Sequence, residues 1–236
     1  EDNVVYLNNS IRGDFGGLEF YGSDKITRLP YWLEEESILS GIKAKAWVRI
    51  DEDLGVDDVS LSIVYGDTRV DPNSDGEATF DFFDDFEEGV LTKWTQSTQG
   101  NGNISVIDGE LVIETNNGAT SPFDFSYVES SNTYNSYQNK AAIRWSTSIN
   151  GNTIPEVGVR TDIPTNTGIK VRYDGRNDQH VFLDNPFNGW TFIDNNTTVT
   201  LAITNDTNYI YEFKADTSNF DFYRDGNLVT AISDSN

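Results

Sequence analysis

The sequence contains no cysteine, no methionine and a single histidine. Without cysteine the fold has no disulfide bond, and no thiol is available as a nucleophile or as a zinc ligand. The one histidine, His180, lies in the strand-like segment Q-H-V-F-L-D, where a side chain is usually exposed or half-buried and not catalytic. No Gly-x-Ser-x-Gly turn presents a serine to it. These absences exclude thiol chemistry and argue against a serine hydrolase.

Long apolar runs are also lacking. No segment approaches the roughly 20 apolar residues that a membrane helix needs, so we expect no membrane insertion. The sequence begins at Glu1, without methionine and without an apolar signal segment, which is typical of a processed or excised chain. We therefore expect a soluble extracellular domain of a secreted or cell-surface protein.

Positive charge is scarce. The 236 residues include 16 Lys and Arg against 39 Asp and Glu, a net charge of −23, and the isoelectric point is about 4.1. Nucleic acids and anionic membranes would be repelled by such a chain and are unsuitable partners. Cations, neutral glycans or a basic protein patch suit it better. The alternative is that the acidic residues only keep the surface solvated.

Helical periodicity is scarce too, whereas alternation with a period of two is frequent. In the segment 42–50 the residues Ile42, Ala44, Ala46, Val48 and Ile50 alternate with basic and aromatic residues. This pattern predicts a half-buried strand with one basic and aromatic face.

Turn dipeptides separate the alternating segments. Asp-Gly and Asn-Gly pairs favour the positive φ angles of tight hairpins. Short strands joined by such turns predict an all-β fold, an antiparallel β-sandwich or jelly roll. The pairs are Asp108-Gly109, Asn150-Gly151, Asp174-Gly175, Asn188-Gly189 and Asp225-Gly226.

A domain boundary is predicted within residues 67–80. The polar segment D-T-R-V-D-P-N-S-D-G-E carries proline and glycine, as linkers do, and the aromatic segment F-D-F-F-D-D-F follows it directly. We expect a small N-terminal β module at 1–78 and a β-sandwich at 79–236 that begins with a buried aromatic strand. Trp32 and Trp47 are then expected to pack between the two domains.

Several motifs in the first 86 residues resemble a known family. L-E-F-Y-G-S-D, L-P-Y-W-L-E-E, A-K-A-W-V-R-I and V-S-L-S-I-V-Y-G occur in this order, followed by D-G-E-A-T-F-D-F-F-D-D-F. Together they resemble domain of unknown function 2341, which is found in archaeal and bacterial surface proteins. The resemblance implies that a concanavalin-A-like lectin/glucanase (LamG-like) sandwich follows, and I-D-G-E-L-V-I and F-Y-R-D-G are similar to strand-and-turn segments of such a sandwich.

The sequence departs from this pattern at both ends. The family usually has one or two strands before the equivalent of Val4, and the sandwich usually has one more strand after Ile232. The chain would then be a fragment, or the missing strands would come from a neighbour by β-strand addition. Residues Glu1–Asn8 are a candidate donor strand for such self-assembly.

A structural calcium site is one candidate for the acidic residues. Calcium prefers six to eight oxygen ligands, often from loops, and the resemblance to lectin-like sandwiches points to Asp84 and Asp85, joined by Asp216 or Asp221 from a late strand. The alternative is that one of the paired aspartates only hydrogen-bonds a turn. The acidic loop Asp51–Asp58 lacks the spacing of an EF-hand and is better explained as solvated.

A carbohydrate site would need exposed aromatic rings together with amides and carboxylates that bind hydroxyl groups. Two turn-rich segments, D-N-P-F-N-G-W-T-F and Y-D-G-R-N-D, provide such residues. The alternative is that these rings belong to the core or to a sheet edge. The candidate residues are Phe187, Trp190, Asn185, Asn188, Tyr173 and Asn177.

Five Asn-x-Ser/Thr sequons are compatible with export, although an asparagine-rich chain acquires some by chance. They are candidate glycosylation sites at Asn8, Asn103, Asn195, Asn196 and Asn205.

Three functions remain open from the sequence. The first is a non-catalytic, lectin-like adhesion module that contacts glycans or a partner surface. The second is a structural subunit of an extracellular filament, surface layer or virion appendage. The third is a glycan-degrading enzyme, which would need two opposed carboxyl groups. Neither Glu212 with Asp216 nor Glu110 with Glu114 makes a convincing pair, so we expect no enzyme.

Overall fold

The computed structural model divides the chain into two compact units, Glu1–Tyr134 and Asn135–Asn236. For residues 156–200 the backbone strands alone are described. The predicted boundary at 78/79 falls inside the first unit, and the predicted domain ranges stay a prediction. The structure describes residues 4–7, 11–39, 43–53, 58–66, 73–99, 102–114, 125–132, 138–144, 156–162, 167–174, 179–184, 191–192, 198–200, 204, 207–215 and 219–233.

The described part of the first unit contains nine strands and one short helix. They are β1 (Glu19–Tyr21), β2 (Arg28–Leu29), β3 (Tyr31–Leu39), β4 (Lys43–Val48), β5 (Ser62–Val64), α1 (Gly76–Thr79), β6 (Trp94–Gln99), β7 (Asn103–Ile107), β8 (Glu110–Glu114) and β9 (Phe125–Ser130). The sheets are β2-β1-β5, β3-β4, β6-β9 and β7-β8.

The described part of the second unit contains nine strands and no helix. They are β10 (Gln138–Arg144), β11 (Glu156–Asp162), β12 (Thr167–Asp174), β13 (Gln179–Asp184), β14 (Thr191–Phe192), β15 (Thr198–Thr200), β16 (Asn208–Ala215), β17 (Asn219–Arg224) and β18 (Asn227–Ser233). One sheet has the order β10-β16-β17-β18, and the other has the order β11-β12-β13-β14 with β15 also paired to β13.

The predicted all-β class is confirmed, since every pairing among the described strands is antiparallel. Two of the predicted hairpin turns are confirmed as well. Asp108 and Gly109 have φ angles of 51° and 74°, and Asp225 and Gly226 have φ angles of 54° and 76°. Both residues of each pair therefore adopt the left-handed conformation that a two-residue hairpin requires.

The core of the first unit includes the apolar face of the β3–β4 hairpin. On β3, Tyr31 and Leu33 are 1% and 4% exposed, and they lie opposite Val48 and Ala46 of β4. The predicted strand at 42–50 is thus confirmed in β4. The buried cluster consists of Phe15, Leu18, Phe20, Leu29, Tyr31 and Leu33.

The other face of the β3–β4 hairpin carries the predicted basic and aromatic side chains. Trp32 lies opposite Trp47, and Glu34 lies opposite Lys45. The indole Nε1 of Trp47 donates to Glu34 at 2.8 Å, and Nζ of Lys45 lies 4.2 Å from the Trp47 ring centroid. Glu34 is only 7% exposed, and Nζ of Lys45 lies 3.6 Å from its Oε2. The Trp47 indole and the Lys45 ammonium therefore offset the cost of burying its charge.

The aromatic segment after the predicted linker packs on the β3–β4 hairpin, and the prediction that this segment is a strand is wrong. Asp75 caps the helical turn α1 by accepting from the backbone N–H of Ala78 at 2.9 Å, and no strand forms at 80–93. The ring centroid of Phe80 lies 5.7 Å from that of Trp32 and 5.8 Å from that of Trp47. The two tryptophans therefore pack against this segment within the first unit.

The turn between β1 and β2 supplies a pH-dependent contribution to stability. Asp24 accepts hydrogen bonds from the backbone N–H groups of Ile26 and Thr27 at 2.9 and 2.8 Å and from the Thr27 hydroxyl. The Thr27 hydroxyl first, and then the two N–H groups, favour the ionised carboxylate and lower the pKa of Asp24 below its ordinary value.

We therefore expect Asp24→Asn to destabilise the protein at pH 7 and to have little effect in strong acid. A carboxylate with a lowered pKa stabilises the fold above the ordinary Asp pKa of about 3.9. The contribution disappears as the pH falls through the lower folded pKa. Urea midpoints measured from pH 7 to pH 2.5 test this, with the exposed Asp58→Asn as control. A gap between wild type and Asp24→Asn that does not change with pH would refute the assignment.

Candidate functional site

The strands of the second unit separate a buried aromatic face from a polar one. On β16 the side chains of Tyr209, Tyr211 and Phe213 are 8%, 2% and 6% exposed. Because successive side chains on a strand point to opposite faces, Glu212 and Lys214 lie on the other side of the sheet. The same alternation on β17 buries Phe222, which is 2% exposed, between Asp221 and Tyr223.

The strand register aligns the polar side chains in two rows across the sheet, which we call the polar face. Residues that pair directly across antiparallel strands share one face and come close together. The first row is Lys140, Glu212, Tyr223 and Leu228, and the second is Gln138, Lys214, Asp221 and Ala231.

Glu212 is the most deeply placed charge on the polar face. Its side chain is 11% exposed, and Nζ of Lys214 lies 3.3 Å from its Oε1. The amide of Gln138 also donates to Oε1. An ammonium and an amide N–H thus both donate to one oxygen of this nearly buried side chain, as a buried polar group requires. Glu212 is therefore a fixed acceptor.

Tyr223 supplies the aromatic ring of the polar face. Nζ of Lys214 lies 4.5 Å from the ring centroid, within the range of a cation–π contact. The Tyr223 hydroxyl approaches Asp221 Oδ2 at 3.4 Å. On the next strand Leu228, which is 56% exposed, lies directly opposite Tyr223. Tyr223 and Leu228 thus provide apolar surface beside charged hydrogen-bonding groups.

The predicted metal ligands Asp84 and Asp85 line an acidic cleft in the first unit. The cleft has a volume of about 370 Å³, and its other acidic residues are Asp75, Glu77, Glu87 and Glu88. Lys93 lies there too; it donates to the Phe83 carbonyl at 2.8 Å and pairs with Glu77.

Both aspartates hydrogen-bond the loop in which they lie. Asp84 accepts from the backbone N–H of Phe86 at 2.9 Å and from the indole Nε1 of Trp94 at 2.6 Å. Asp85 accepts from the N–H of Glu87 at 3.3 Å. The turn-bonding role that the sequence left open is therefore present for both.

The calcium site itself stays a prediction. Asp221 belongs to the second unit, and Asp216 lies outside the described residues. Among the residues that the structure describes, no three Asp, Glu, His or Cys side chains cluster as a metal site would require.

The predicted carbohydrate residues lie largely where the structure gives no description. Phe187, Trp190, Asn185, Asn188 and Asn177 are outside the described residues. Tyr173 lies on β12, where its backbone pairs with His180. A role of these residues in carbohydrate binding stays a prediction.

Asn103 is the sequon asparagine that falls in the described part of the chain. It is exposed at the start of β7, and its amide donates to Glu114 at 3.1 Å. Asn8, Asn195, Asn196 and Asn205 are outside the described residues. Glycosylation at all five positions stays a prediction.

Sequence reasoning missed most of the polar face. The segment Y-I-Y-E-F-K predicts one aromatic and one polar face for β16, and this signal is present in the sequence. Which strands lie beside β16 cannot be obtained from that local pattern. The alignment of Lys140, Glu212 and Tyr223, from three different strands, needs the register.

Comparison with known proteins finds a family match in the first part of the chain. Residues 14–97 match the family described as Domain of unknown function (DUF2341). The resemblance predicted from the motifs is thereby confirmed, and the match continues through the aromatic segment to β6. The lectin/glucanase sandwich expected after it stays a prediction.

The chain is also similar to a solved structure, the carbohydrate binding module CBM66 from Bacillus subtilis. The identity is 19%, the TM-score is 0.49, and the alignment covers 62% of this chain and 82% of that chain. A similarity at this level transfers neither a ligand nor a function. No curated protein matches the chain. Within the described residues, no helix has the length and apolar character to cross a bilayer.

Proposed function

We propose that the protein is a non-catalytic, lectin-like module of an extracellular or cell-surface protein, and that it contacts glycans through the polar face. The observation that carries the proposal is the pair of rows across β10, β16, β17 and β18. They combine an aromatic ring with fixed carboxylate, amide and ammonium groups on a sheet surface.

The residue types of the polar face match what carbohydrate binding requires. A pyranose ring has apolar C–H faces that pack on aromatic rings, and its hydroxyls both donate and accept hydrogen bonds. Tyr223 and Leu228 offer the packing surface, Glu212 and Asp221 accept, and Lys140 and Gln138 are donors. Because Glu212 is held by Gln138 and Lys214, part of the site is organised before a ligand arrives.

Turnover is a weaker fit to this geometry than contact. A glycosidase needs one carboxylic acid that donates a proton and a second carboxylate placed across the scissile bond. Glu212 accepts from an ammonium and an amide, and Asp221 lies within 3.4 Å of the Tyr223 hydroxyl. Both carboxyl groups therefore have the surroundings of acceptors.

Tyr223→Ala tests the proposal. We expect this substitution to reduce the affinity for oligosaccharides by about tenfold or more, measured on those that the wild-type chain binds. Loss of an anchoring ring commonly costs over 1 kcal/mol of binding free energy. A panel of neutral and charged oligosaccharides is titrated by calorimetry. The matched control is Tyr6→Ala, the same substitution at a tyrosine in the first unit that is 81% exposed. No binding by wild type, or equal losses in the two variants, would refute the proposal.

A structural role by strand addition is the second candidate. Val4, Val5 and Tyr6, within the proposed donor segment, are 57%, 59% and 81% exposed, although Leu7 packs against the core cluster. An exposed apolar segment of this kind is suited to pair as an added strand with the sheet edge of a neighbouring molecule. The same titrations separate the two roles, since strand addition makes no use of Tyr223.

A further inference from the structure

The charges of the polar face cancel, whereas those of the whole chain do not. Lys140 lies opposite Glu212, and Lys214 lies opposite Asp221, so each row contains one cation and one anion. Lys214 also pairs with Glu212 at 3.3 Å. The face is thus locally neutral in a chain of net charge −23.

We infer that the polar face is selective for neutral glycans and discriminates against anionic ones such as uronate polymers. The inference rests on the proposed function and specifies its ligand class. Hydroxyl groups of a neutral sugar can use the carboxylates as acceptors and the amide and ammonium groups as donors. A carboxylate on the ligand would instead lie near Glu212 or Asp221, and each lysine of the two rows already lies opposite one of these anions.

Two sets of charges contribute to this selectivity, those on the polar face and those on the rest of the chain, and they act over different distances. Charges on the polar face act at contact distance, where like charges brought together weaken binding directly. The remaining negative charge acts through solvent and is screened beyond about 8 Å at physiological salt. High salt should therefore weaken the repulsion between an anionic ligand and the whole chain. It should leave most of the repulsion that arises on the polar face itself.

The apolar part of the face supports the same ligand class. The ammonium of Lys214 lies 4.5 Å from the Tyr223 ring centroid, and Leu228 lies opposite Tyr223 on β18. Packing of an uncharged C–H surface on Tyr223 and Leu228 leaves this cation with its partner Glu212. An anionic ligand would compete with Glu212 for Lys214, and a nearly buried carboxylate would then lose its ammonium partner.

The test uses the full chain with one polysaccharide in two forms, a neutral glucan bound by the wild type and its carboxymethylated derivative. We expect the neutral form to bind more tightly than the carboxymethylated form, by a factor on the order of ten or more. Its affinity should change less than about twofold between low and high salt, while binding of the carboxymethylated form should improve as salt screens the repulsion. Equal or tighter binding of the carboxymethylated form would overturn the inference.

Variants distinguish the local charge balance from the total charge. Glu212→Gln and Asp221→Asn each give the polar face one net positive charge, and each should increase affinity for the carboxymethylated form several-fold. Two variants are used because Glu212 is nearly buried and its replacement can impair folding. Glu88→Gln, in the first unit, makes the same change in total charge and should leave that affinity unchanged.

The outcomes separate this inference from the proposed function. An equal gain in Glu88→Gln would show that the total charge decides, and the local inference would be wrong. Binding of both forms without preference, but with loss in Tyr223→Ala, would retain the glycan-binding face and refute its selectivity. Binding of neither form, nor of any oligosaccharide in the panel, would refute the proposed function and this inference with it.

Discussion

Replacing Gly76 by alanine is expected to destabilise the first unit by roughly 1–3 kcal/mol, the usual cost of overpacking. A Cβ at this position would lie 2.4–2.5 Å from three ring atoms of Phe83. The Phe83 ring cannot easily move, because it packs edge-on against Trp32 and stacks on Phe80. The ring centroids are 5.3 Å and 5.9 Å apart, respectively. The expected sign opposes helix propensity, which favours alanine over glycine by about 1 kcal/mol. Urea denaturation followed by tryptophan fluorescence measures the change.

Gly22→Ala is the matched control for this experiment. Its Cβ would meet its nearest neighbours at 3.4–3.9 Å, an ordinary contact distance, so we expect a change within about 0.5 kcal/mol. The cost of Gly76→Ala should also shrink when Phe83 is replaced by alanine, because the clash partner is then absent. An equal cost with and without the Phe83 ring would contradict the packing described for this segment.

Local patterns in the sequence were sufficient for the strands and turns that need only near neighbours. Alternation of Ala44, Ala46 and Val48 with polar residues predicts β4, and these three residues pack on the core cluster. The pairs Asp108-Gly109 and Asp225-Gly226 predict hairpins, and both have the positive φ angles expected. These features depend on residues close in sequence, whose conformational preferences decide the outcome.

The aromatic segment after the linker shows where such patterns fail. Phe80, Phe82 and Phe83 favour a strand by composition, but Asp75 caps a helical turn directly before them. The backbone N–H groups of Asn73 and Asp75 also donate to the hydroxyl and the carbonyl of Tyr31, at 3.0 and 2.8 Å. These long-range bonds to β3 override local propensity. They hold the segment against β3, in the part of the chain that the family match covers.

The candidate site depended even more on long-range order. Glu212 is separated by 74 residues from Gln138, its hydrogen-bond donor. No spacing rule links these two residues, because β11 to β15 lie between β10 and β16 in the sequence. The acidic pair Asp84-Asp85 was visible in the sequence as a motif. Its contacts with Trp94 and with backbone N–H groups were not, because they depend on how the loop closes.

Phe222→Ala is expected to destabilise the second unit by about 3–5 kcal/mol, the usual cost of removing a buried phenylalanine. Phe222 is 2% exposed. Its ring stacks on Tyr211 at 5.6 Å and lies 5.0 Å from Phe213. The polar face is formed by the opposite sides of the same strands, so we expect Phe222→Ala to reduce glycan binding only as far as it unfolds the sheet. Denaturation and oligosaccharide titration on the same samples test both effects.

Tyr223→Ala is the control on the adjacent residue. Tyr223 lies on the other face of β17 and is only partly buried, so its loss should cost about 1 kcal/mol of stability while it weakens binding strongly. Phe222→Leu should retain more stability than Phe222→Ala, because most of the apolar volume is kept, and it should bind like the wild type. One face of β17 would then determine stability and the other binding. A folded Phe222→Leu variant that has lost binding, or a Tyr223→Ala variant as unstable as Phe222→Ala, would contradict this division.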